Sequence, residues 1–590
     1  MYLENINSPA DVKKLNVEEM TALAAEMREA LIVRASRHMG HVGPDLGFIE
    51  ATVALHAVFS SPEDKIIYDI SHQTYPHKML TGRREAYTDP AHYDEVSAYS
   101  NPKESPHDFF ELGHTSVSID LALGMAKARD LLGGTEKVIA VIGDGSLSGG
   151  EALEGLNTAG EFKGQFIILV NDNQMSIAEN HGGLYDSLKA LRESGGSSEH
   201  NLFRAMGLDY RYEAAGNDIG ALVRALNEVK TLDHPVVLHI NTLKGKGYGP
   251  AETRKEEFHW HFPFDLESGE TLPDFRFEGE SYEEATADFL LKAAAEDPAV
   301  LVLTSGVPGT LALTPERRAA LGKQYLDAGI AEQSALAIAS GAAKRGAKPV
   351  YFTEATFLQR AYDQLVHDIC IQKSPVTILL GSASLFGMSD VTHSGVLALP
   401  MLSNIPELIV LAPSSLEEYL SMLRWSMQQR ENPVAILIPS TELCHATRAV
   451  RESFSLPARY ETVQCGRELA ILAPGDMRLL GEKTAALLEE KYGIRPTLIN
   501  PGVVSDLDEA LLEALKEDHR AVLVLEDGLL SGGFGAKLAC FYGDSDMKVL
   551  LRGLPKAFYD RYRISALLKA QGMTAEQLAA DSANAIKQKR

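Results

Sequence analysis

The stretch that most constrains this chain runs from Val138 to Ile177, VIAVIGDGSLSGGEALEGLNTAGEFKGQFIILVNDNQMSI. Val138–Ile142 is a short apolar run rich in β-branched side chains, which predicts a buried strand. Gly143-Asp144-Gly145 then turns the chain. From Gly149 onward Ala152, Leu153, Leu156 and Ala159 fall at helical spacing, so a helix is predicted there. Phe166–Val170 predicts a second buried strand, ending in Asn171-Asp172-Asn173. Strand, helix and strand make a βαβ unit. Open parallel sheets meet their ligands at the carboxyl ends of the strands, and here one such end carries an acid and the next carries amides.

That pattern suits a hard divalent cation holding a diphosphate. Mg²⁺ takes oxygen ligands in an octahedron and keeps only one or two protein carboxylates beside phosphate oxygens. Asp144 offers a carboxylate, Asn173 an amide oxygen, and Met175 a main-chain carbonyl. Gly145 lets the backbone come close to phosphate. The order Gly-Asp-Gly, then Asn-Asp-Asn one βαβ unit later, resembles the cofactor motif of thiamine diphosphate enzymes. The plainer alternative is an ordinary strand-end turn.

At 590 residues the chain has room for about three or four domains. Its 45% hydrophobic and 23% charged residues are ordinary for globular proteins. No apolar run reaches the roughly 18 residues of a membrane span, and MYLENINSPADVKKL has no signal-peptide core. Cys370, Cys444, Cys465 and Cys540 lie far apart, without metal-ligand spacing, which suggests thiols in a reducing, cytoplasmic setting. A net charge of −25 argues against nucleic acid or an anionic membrane as partner. The expected partners are small molecules, and an anionic one must be met by local cations.

Residues 9–60 read as helices, one of them starting at Asn16 with acids in its first turn. Ile66–Tyr68 is a short strand before Asp69-Ile70-Ser71-His72, and Gly113-His114-Thr115-Ser116 is a small-residue turn able to aim N–H groups at an anion. The segment 181–201 is rich in Gly and Ser and is expected as a mobile surface loop. Pro235–Ile240 closes the first domain, and 251–278 is the expected linker. Val300–Leu303 and Val376–Leu380 predict strands of a second domain. Ala331–Ala343, apolar or small nearly all round, predicts a buried helix headed by Glu332, whose carboxylate then needs a partner. In a third domain Leu469–Leu472 and Val522–Leu525 predict strands, and Gly532-Gly533-Phe534-Gly535 weakly resembles a nucleotide loop.

Several stretches together resemble the 1-deoxy-D-xylulose-5-phosphate synthase family, in the transketolase-like branch of thiamine diphosphate enzymes. They are His72-Gln73 with Tyr75-Pro76-His77-Lys78 and Thr81-Gly82-Arg83-Arg84, the 113–116 turn, and Asp144 with Asn173–Asn180. Lys244-Gly245-Lys246-Gly247-Tyr248, Phe258-His259, Ala331-Glu332-Gln333, Thr356–Gln364 and Thr392-His393 continue the likeness over nearly the whole chain. The resemblance implies three doubly wound α/β domains: a diphosphate- and Mg-binding domain at 1–250, a pyrimidine-binding domain at 279–455 and a transketolase C-terminal-like domain at 456–590. It implies a homodimer, with thiamine diphosphate and Mg²⁺ as cofactors. The activity implied is decarboxylation of pyruvate and transfer of its two-carbon unit to an aldehyde such as glyceraldehyde 3-phosphate. Ketol transfer between sugars, or a non-catalytic cofactor-binding role, are the alternatives.

Carried over residue by residue, Asp144, Asn173 and Met175 match the metal ligands, and Glu332 matches the glutamate that hydrogen-bonds the aminopyrimidine. His41, His72 and His259 match active-site histidines that donate to developing alkoxides or move protons near neutral pH. Gly113, His114, Thr115, Gly145, Ser146 and Tyr248 match cofactor contacts, Phe357 the aromatic on the pyrimidine, and Arg360 and His393 the substrate channel. Two family arginines that hold the acceptor's phosphate, in Asp-Arg-Ala-Gly and Arg-Tyr-Pro-Arg-Gly, are replaced here by Ser382 and Ser440. A family tyrosine is Glu354, and an aspartate is Ser389, beside Asp390. The cofactor half matches, and the acceptor half suits hydroxyls or a cation better than a phosphate.

Overall fold

The computed structural model describes residues 1–277 and 279–587. The chain divides into two units, Met1–Glu278 with Gly329–Ala331 and Gly279–Ala328 with Glu332–Arg590. Glu278, at the end of the expected linker, and residues 588–590 lie outside the described residues.

Five parallel strands carry the first unit: β1 Lys65–Tyr68, β2 Val138–Gly143, β3 Phe166–Asp172, β4 Asp209–Glu213 and β5 Pro235–Asn241, in the order β1-β2-β3-β5-β4. Side chains alternate across a strand, so each central strand feeds two cores. Val138, Ala140 and Ile142 join Phe166, Ile168 and Val170 on one face. Ile139 and Val141 join Ile167 and Leu169 on the other. Helices α1 Val17–Ala35 and α2 Gly43–Val58 precede the sheet, and α3 Ser118–Leu132, α4 Gly150–Glu161, α5 Gly183–Glu193 and α6 Ile219–Lys230 follow in chain order. α3, α4 and α5 cover the first face, and α2 and α6 the second. The Asn16 side chain accepts the Glu19 N–H at 3.0 Å, and the Glu19 carboxylate accepts the Asn16 N–H at 2.8 Å, a reciprocal cap that starts α1.

Two expectations change here. The segment 181–201 is not a bare loop, because it contains α5. Leu184, Tyr185, Leu188 and Leu191 fall on one helical face and pack on the sheet, and Arg192 pairs with Asp172 at the end of β3. A few apolar residues at the right spacing outweigh the glycine and serine around them. The stretch 251–277 is packed over much of its length: Ala251, Phe258 and Phe264 are buried with α1 and α2, and Trp260-His261 pairs antiparallel with Gly40-His41.

The second unit holds two sheets. The first contains β6 Val300–Thr304, β7 Tyr325–Asp327, β8 Lys348–Glu354, β9 Thr377–Gly381, β10 Ile409–Leu411 and β11 Val434–Leu437, all parallel, in the order β10-β11-β9-β8-β6-β7. Helix α7, Glu332–Lys344, buries Ala335, Leu336, Ala339 and Ala343, but Ile338 is 41% exposed, so the helix is not buried all round. The second sheet contains β12 Glu461–Gln464, β13 Glu468–Leu472, β14 Thr497–Asn500, β15 His519–Leu529 and β16 Lys548–Leu554, in the order β12-β14-β13-β15-β16. Its edge strand β12 runs antiparallel to β14. In the glycine cluster after β15, the N–H groups of Phe534 and Gly535 both donate to Glu526 at 2.8 Å. That turn grips the protein's own carboxylate instead of a nucleotide. Among the described residues no helix is long and apolar enough to cross a membrane.

Arg192 is the tie between α5 and the sheet, and a hydrogen bond between charged groups contributes about 1.5–3 kcal/mol. Arg192→Met should therefore speed amide hydrogen exchange across 183–193 by roughly tenfold to a hundredfold, with β2 and β3 as protected as before. Unchanged exchange in the helix would show that the pair tethers nothing.

Candidate active site

β2 and β3 end side by side, with Gly143 and Asn171 as Cα partners. A cavity of the first unit opens at this edge, lined among others by Asp144, Gly145, Asn173, Met175, Lys244 and His259. Gly145 shapes its floor. A Cβ there would stand 3.0 Å from the Ser176 Cα, so a larger residue would push the 173–177 turn away from Asp144. Gln174 takes a left-handed φ of 66° and its N–H donates to Asp172 at 3.1 Å. The Asn173 Oδ1 accepts the Met175 N–H at 3.1 Å. The turn that presents Asn173 and Met175 is thus held from behind by Asp172.

Asp144 and Asp172 are both buried, at 1% and 0% exposure. The His239 Nε2 lies 2.9 Å from Asp172, and Arg192 donates to the same carboxylate, which holds Asp172 below the usual range. Burial, and then the charge of Asp172, push Asp144 up to about 7. Asn180 donates to Asp144 at 2.8 Å. A carboxylate, an amide oxygen and a main-chain carbonyl on one wall are the mixed oxygen donors that Mg²⁺ takes beside phosphate. A cation would return Asp144 to its charged form. The residues present fit the metal.

His41, His72 and His259 form one cluster, with ring centroids 4.9, 5.1 and 5.6 Å apart for the 41–72, 72–259 and 41–259 pairs. Burial pushes His72 down to about 4 and His259 well below the usual range. Burial therefore favours the neutral form of His72 and His259, in which an imidazole offers one donor and one acceptor. Lys244 donates to the Ser176 carbonyl at 2.6 Å and sits 3.2 Å from the His259 Nδ1. Burial pushes its ammonium down to about 7. Lys244 and Asn180 are additions to the expected set. Nothing local in the sequence tells a buried lysine from an exposed one, although Lys244 follows a strand end in a glycine-rich turn.

Of the 113–116 turn, only Thr115 lines the cavity. The N–H groups of Ser116, which ends the turn, and Ser118, which starts α3, donate to Asp69 at 2.7 and 2.9 Å, so that end of the turn is engaged by the chain's own carboxylate. Gly113 and His114 are not among the residues that line the cavity, and Ser146 is. Tyr248 lies away from it. Its ring packs between Phe258 and Phe264 and its hydroxyl donates to the Leu266 carbonyl at 3.1 Å.

In the second unit Glu332 heads α7 at 2% exposure. Its Oε2 accepts no hydrogen bond and lies 3.8 Å from the Arg360 Nη1. Burial pushes this carboxyl up and Arg360 draws it back. Phe357 meets His393 edge to face at 5.5 Å, and the His393 Nδ1 is 2.8 Å from the Thr392 hydroxyl. Glu354 ends β8 and Ser382 follows β9. Ser440 lies after β11, and its N–H donates to Asp476 at 3.1 Å. Thr441 gives Asp476 both its N–H at 3.3 Å and its hydroxyl at 2.8 Å, and the Ser384 hydroxyl adds another bond at 2.9 Å.

A family model described as 1-deoxy-D-xylulose-5-phosphate synthase matches residues 3–199, one for the transketolase pyrimidine binding domain matches 279–445, and one for the transketolase C-terminal domain matches 458–578. A protein of Shouchella clausii named 1-deoxy-D-xylulose-5-phosphate synthase is 36% identical over 100% of both chains. One of the same name from Alkaliphilus oremlandii is 36% identical over 98% of each. A solved transketolase from Leishmania mexicana aligns with 97% of this chain and 98% of its own, at 16% identity and a TM-score of 0.45.

Lys244 gives the cavity a buried amine whose proton affinity burial lowers to about 7, so its charge fades as pH rises through that range. The Lys244 contribution to binding a magnesium–diphosphate ligand should therefore fade as pH rises through that value, while ionisation of Asp144 over the same range favours the metal. Lys244→Met should bind roughly ten- to a hundredfold more weakly at pH 6.5, and its deficit against the native protein should shrink as pH rises. Isothermal titration with magnesium pyrophosphate from pH 6 to 9 measures both.

Proposed function

The chain belongs to the 1-deoxy-D-xylulose-5-phosphate synthase family, and from that premise we propose that it joins the two-carbon unit of pyruvate to an aldehyde that carries no phosphate. The class of reaction follows from the family: a thiamine diphosphate- and Mg²⁺-dependent transferase that ligates a 2-oxo acid to an aldehyde. When bound, the cofactor supplies a thiazolium carbon able to take up the electron pair left by decarboxylation. Ketol transfer is not favoured by the full-length relatives, and release of CO₂ separates the two.

This chain's residues divide the work. Asp144, Asn173 and the Met175 carbonyl would hold Mg²⁺, with Lys244, Thr115, Gly145 and Ser146 on the diphosphate side. Glu332 is a buried carboxyl whose raised proton affinity suits a bond to the aminopyrimidine ring. Phe357 offers an aromatic face, and Arg360 and His393 polar groups, for the pyrimidine and the substrate. His41, His72 and His259 would position substrate oxygens, His72 and His259 as neutral imidazoles. Tyr248, engaged in the core, is left out of the cofactor set. We also propose a cytoplasmic homodimer, as the family resemblance implies, which the mass in solution tests for the assembly.

One observation carries the acceptor reading. The main-chain N–H groups of Ser440 and Thr441, where the resemblance expects an arginine on a phosphate, already hold the carboxylate of Asp476. A phosphate would meet an acid there, and Ser382 brings no cation. Without two charge-assisted bonds of about 1.5–3 kcal/mol each, a phosphorylated acceptor should lose roughly a hundredfold to ten-thousandfold in affinity.

A steady-state comparison should accordingly show glyceraldehyde used with a higher kcat/KM than glyceraldehyde 3-phosphate. Selective use of the ester would refute the reading of Ser382 and Ser440. Glu332→Ala should cut pyruvate consumption by on the order of a hundredfold or more, with magnesium pyrophosphate binding retained. Turnover close to that of the native protein would remove Glu332 from its role.

A further inference from the structure

This inference rests on the acceptor reading above and names the group that recognises the acceptor. β8 and β9 end together, with Glu354 and Gly381 as Cα partners. The two carboxyl oxygens of Glu354 lie 2.8 and 2.9 Å from the point where a Cβ of residue 381 would stand. Only glycine at 381 leaves that carboxyl its place. Glu354 is 5% exposed, and its Oε2 accepts no hydrogen bond. Its neighbours are the hydroxyls of Ser382 and Thr310 and the imidazole of His393. Ser382 takes a left-handed φ of 49°, which a non-glycine residue keeps only when its surroundings fix it.

A buried carboxyl with a bare oxygen is costly unless a donor arrives. Three kinds of acceptor could present themselves to it. A phosphate or carboxylate brings no donor at neutral pH and repels a charged carboxyl. An ammonium needs an ionised partner, and burial opposes the charged form of Glu354, as does the charge of Glu283. An alcohol O–H satisfies the oxygen and adds no charge, and the neighbouring Ser382 and Thr310 can serve further hydroxyls in the same way.

We propose that Glu354, with Ser382 beside it, reads the acceptor as an uncharged hydroxyaldehyde, a substrate hydroxyl donating to the Glu354 Oε2.

The test uses the full chain with thiamine diphosphate, Mg²⁺ and pyruvate. The acceptors are glyceraldehyde, propionaldehyde, glyceraldehyde 3-phosphate and 3-aminopropionaldehyde. The native enzyme should favour glyceraldehyde over propionaldehyde by at least about tenfold in kcat/KM. Glu354→Ala should erase that ratio by raising the KM for glyceraldehyde alone, and should narrow the gap between glyceraldehyde and its phosphate ester. Glu354→Gln, which keeps the shape and one acceptor oxygen, should fall between, and it carries the same comparison if the alanine variant does not fold. If the native enzyme rejects the ester but the variants raise every KM alike, Glu354 is structural and this inference fails while the acceptor reading stands. A native preference for the amino aldehyde also overturns it. A native preference for the ester removes both.

Discussion

Asp144 and Asp172 meet where two neighbouring parallel strands run out, and both are buried there. Two adjacent buried carboxyls cannot both keep a charge without partners. The fold settles the conflict unevenly. Asp172 receives His239 from β5, Arg192 from α5 and the N–H of Gln174, and it keeps the charge. Asp144 receives an amide N–H from Asn180, and burial beside the charge of Asp172 raises its proton affinity. The consequence reaches beyond the pair. The residue that neutralises Asp172 lies on the helix that the glycine- and serine-rich segment forms, and the turn that carries Asn173 and Met175 hangs on the same carboxylate. The wall facing a metal is therefore one assembly with α5 and β5, and Asp144 is the member still in need of a positive charge.

The second unit repeats the theme with different partners. Glu332, Glu354 and Asp476 are all carboxyls that burial pushes up, and each is answered by a different kind of group. Glu332 faces a guanidinium at 3.8 Å, beyond hydrogen-bond distance, which leaves an oxygen able to bond elsewhere. Asp476 is held by main-chain N–H groups and hydroxyls, so its bonding is complete within the protein. Glu354 lies between these cases. Where a strand end gathers acids, the partner decides whether the acid is structural or is left with work to do.

Much of this was legible in the sequence because it is local. The β-branched runs of β2 and β3 and the helical spacing of α4 each lie within a few residues, and strand ends follow from them, which puts Asp144 and Asn173 at the cavity. What was not legible depends on segments remote in the chain. The direction of the Tyr248 ring is set by Phe258, Phe264 and the Leu266 carbonyl, and a motif of glycines and a lysine cannot show which way it points. The lowered proton affinity of His72 and His259 comes first from burial, which no single stretch of sequence shows. The 113–116 turn reads as an open anion cradle until Asp69 is seen taking the N–H of Ser116 and, just beyond it, that of Ser118. α5 was hidden for a compositional reason: its apolar face is four residues among glycines and serines, enough to pack on a sheet yet too few to dominate a window.

The acceptor half shows the limit of reading by residue type. Ser382 and Ser440 in place of arginines say what is not held, and a missing cation alone leaves room for a main-chain nest to bind phosphate instead. The structure removes that route, because the N–H groups at 440 and 441 are engaged by Asp476, in the short turn that follows β13 of the other sheet of the same unit. Register adds the remaining step. With Glu354 opposite Gly381, the carboxyl occupies space that any side chain at 381 would need. The glutamate and the glycine therefore share one space at the ends of adjacent strands. Restoring an arginine at 382 alone would bring a guanidinium to that carboxyl, and an arginine so paired is a poor phosphate ligand. Recovery of phosphate binding at this edge requires the strand-end acid and its facing glycine to change together.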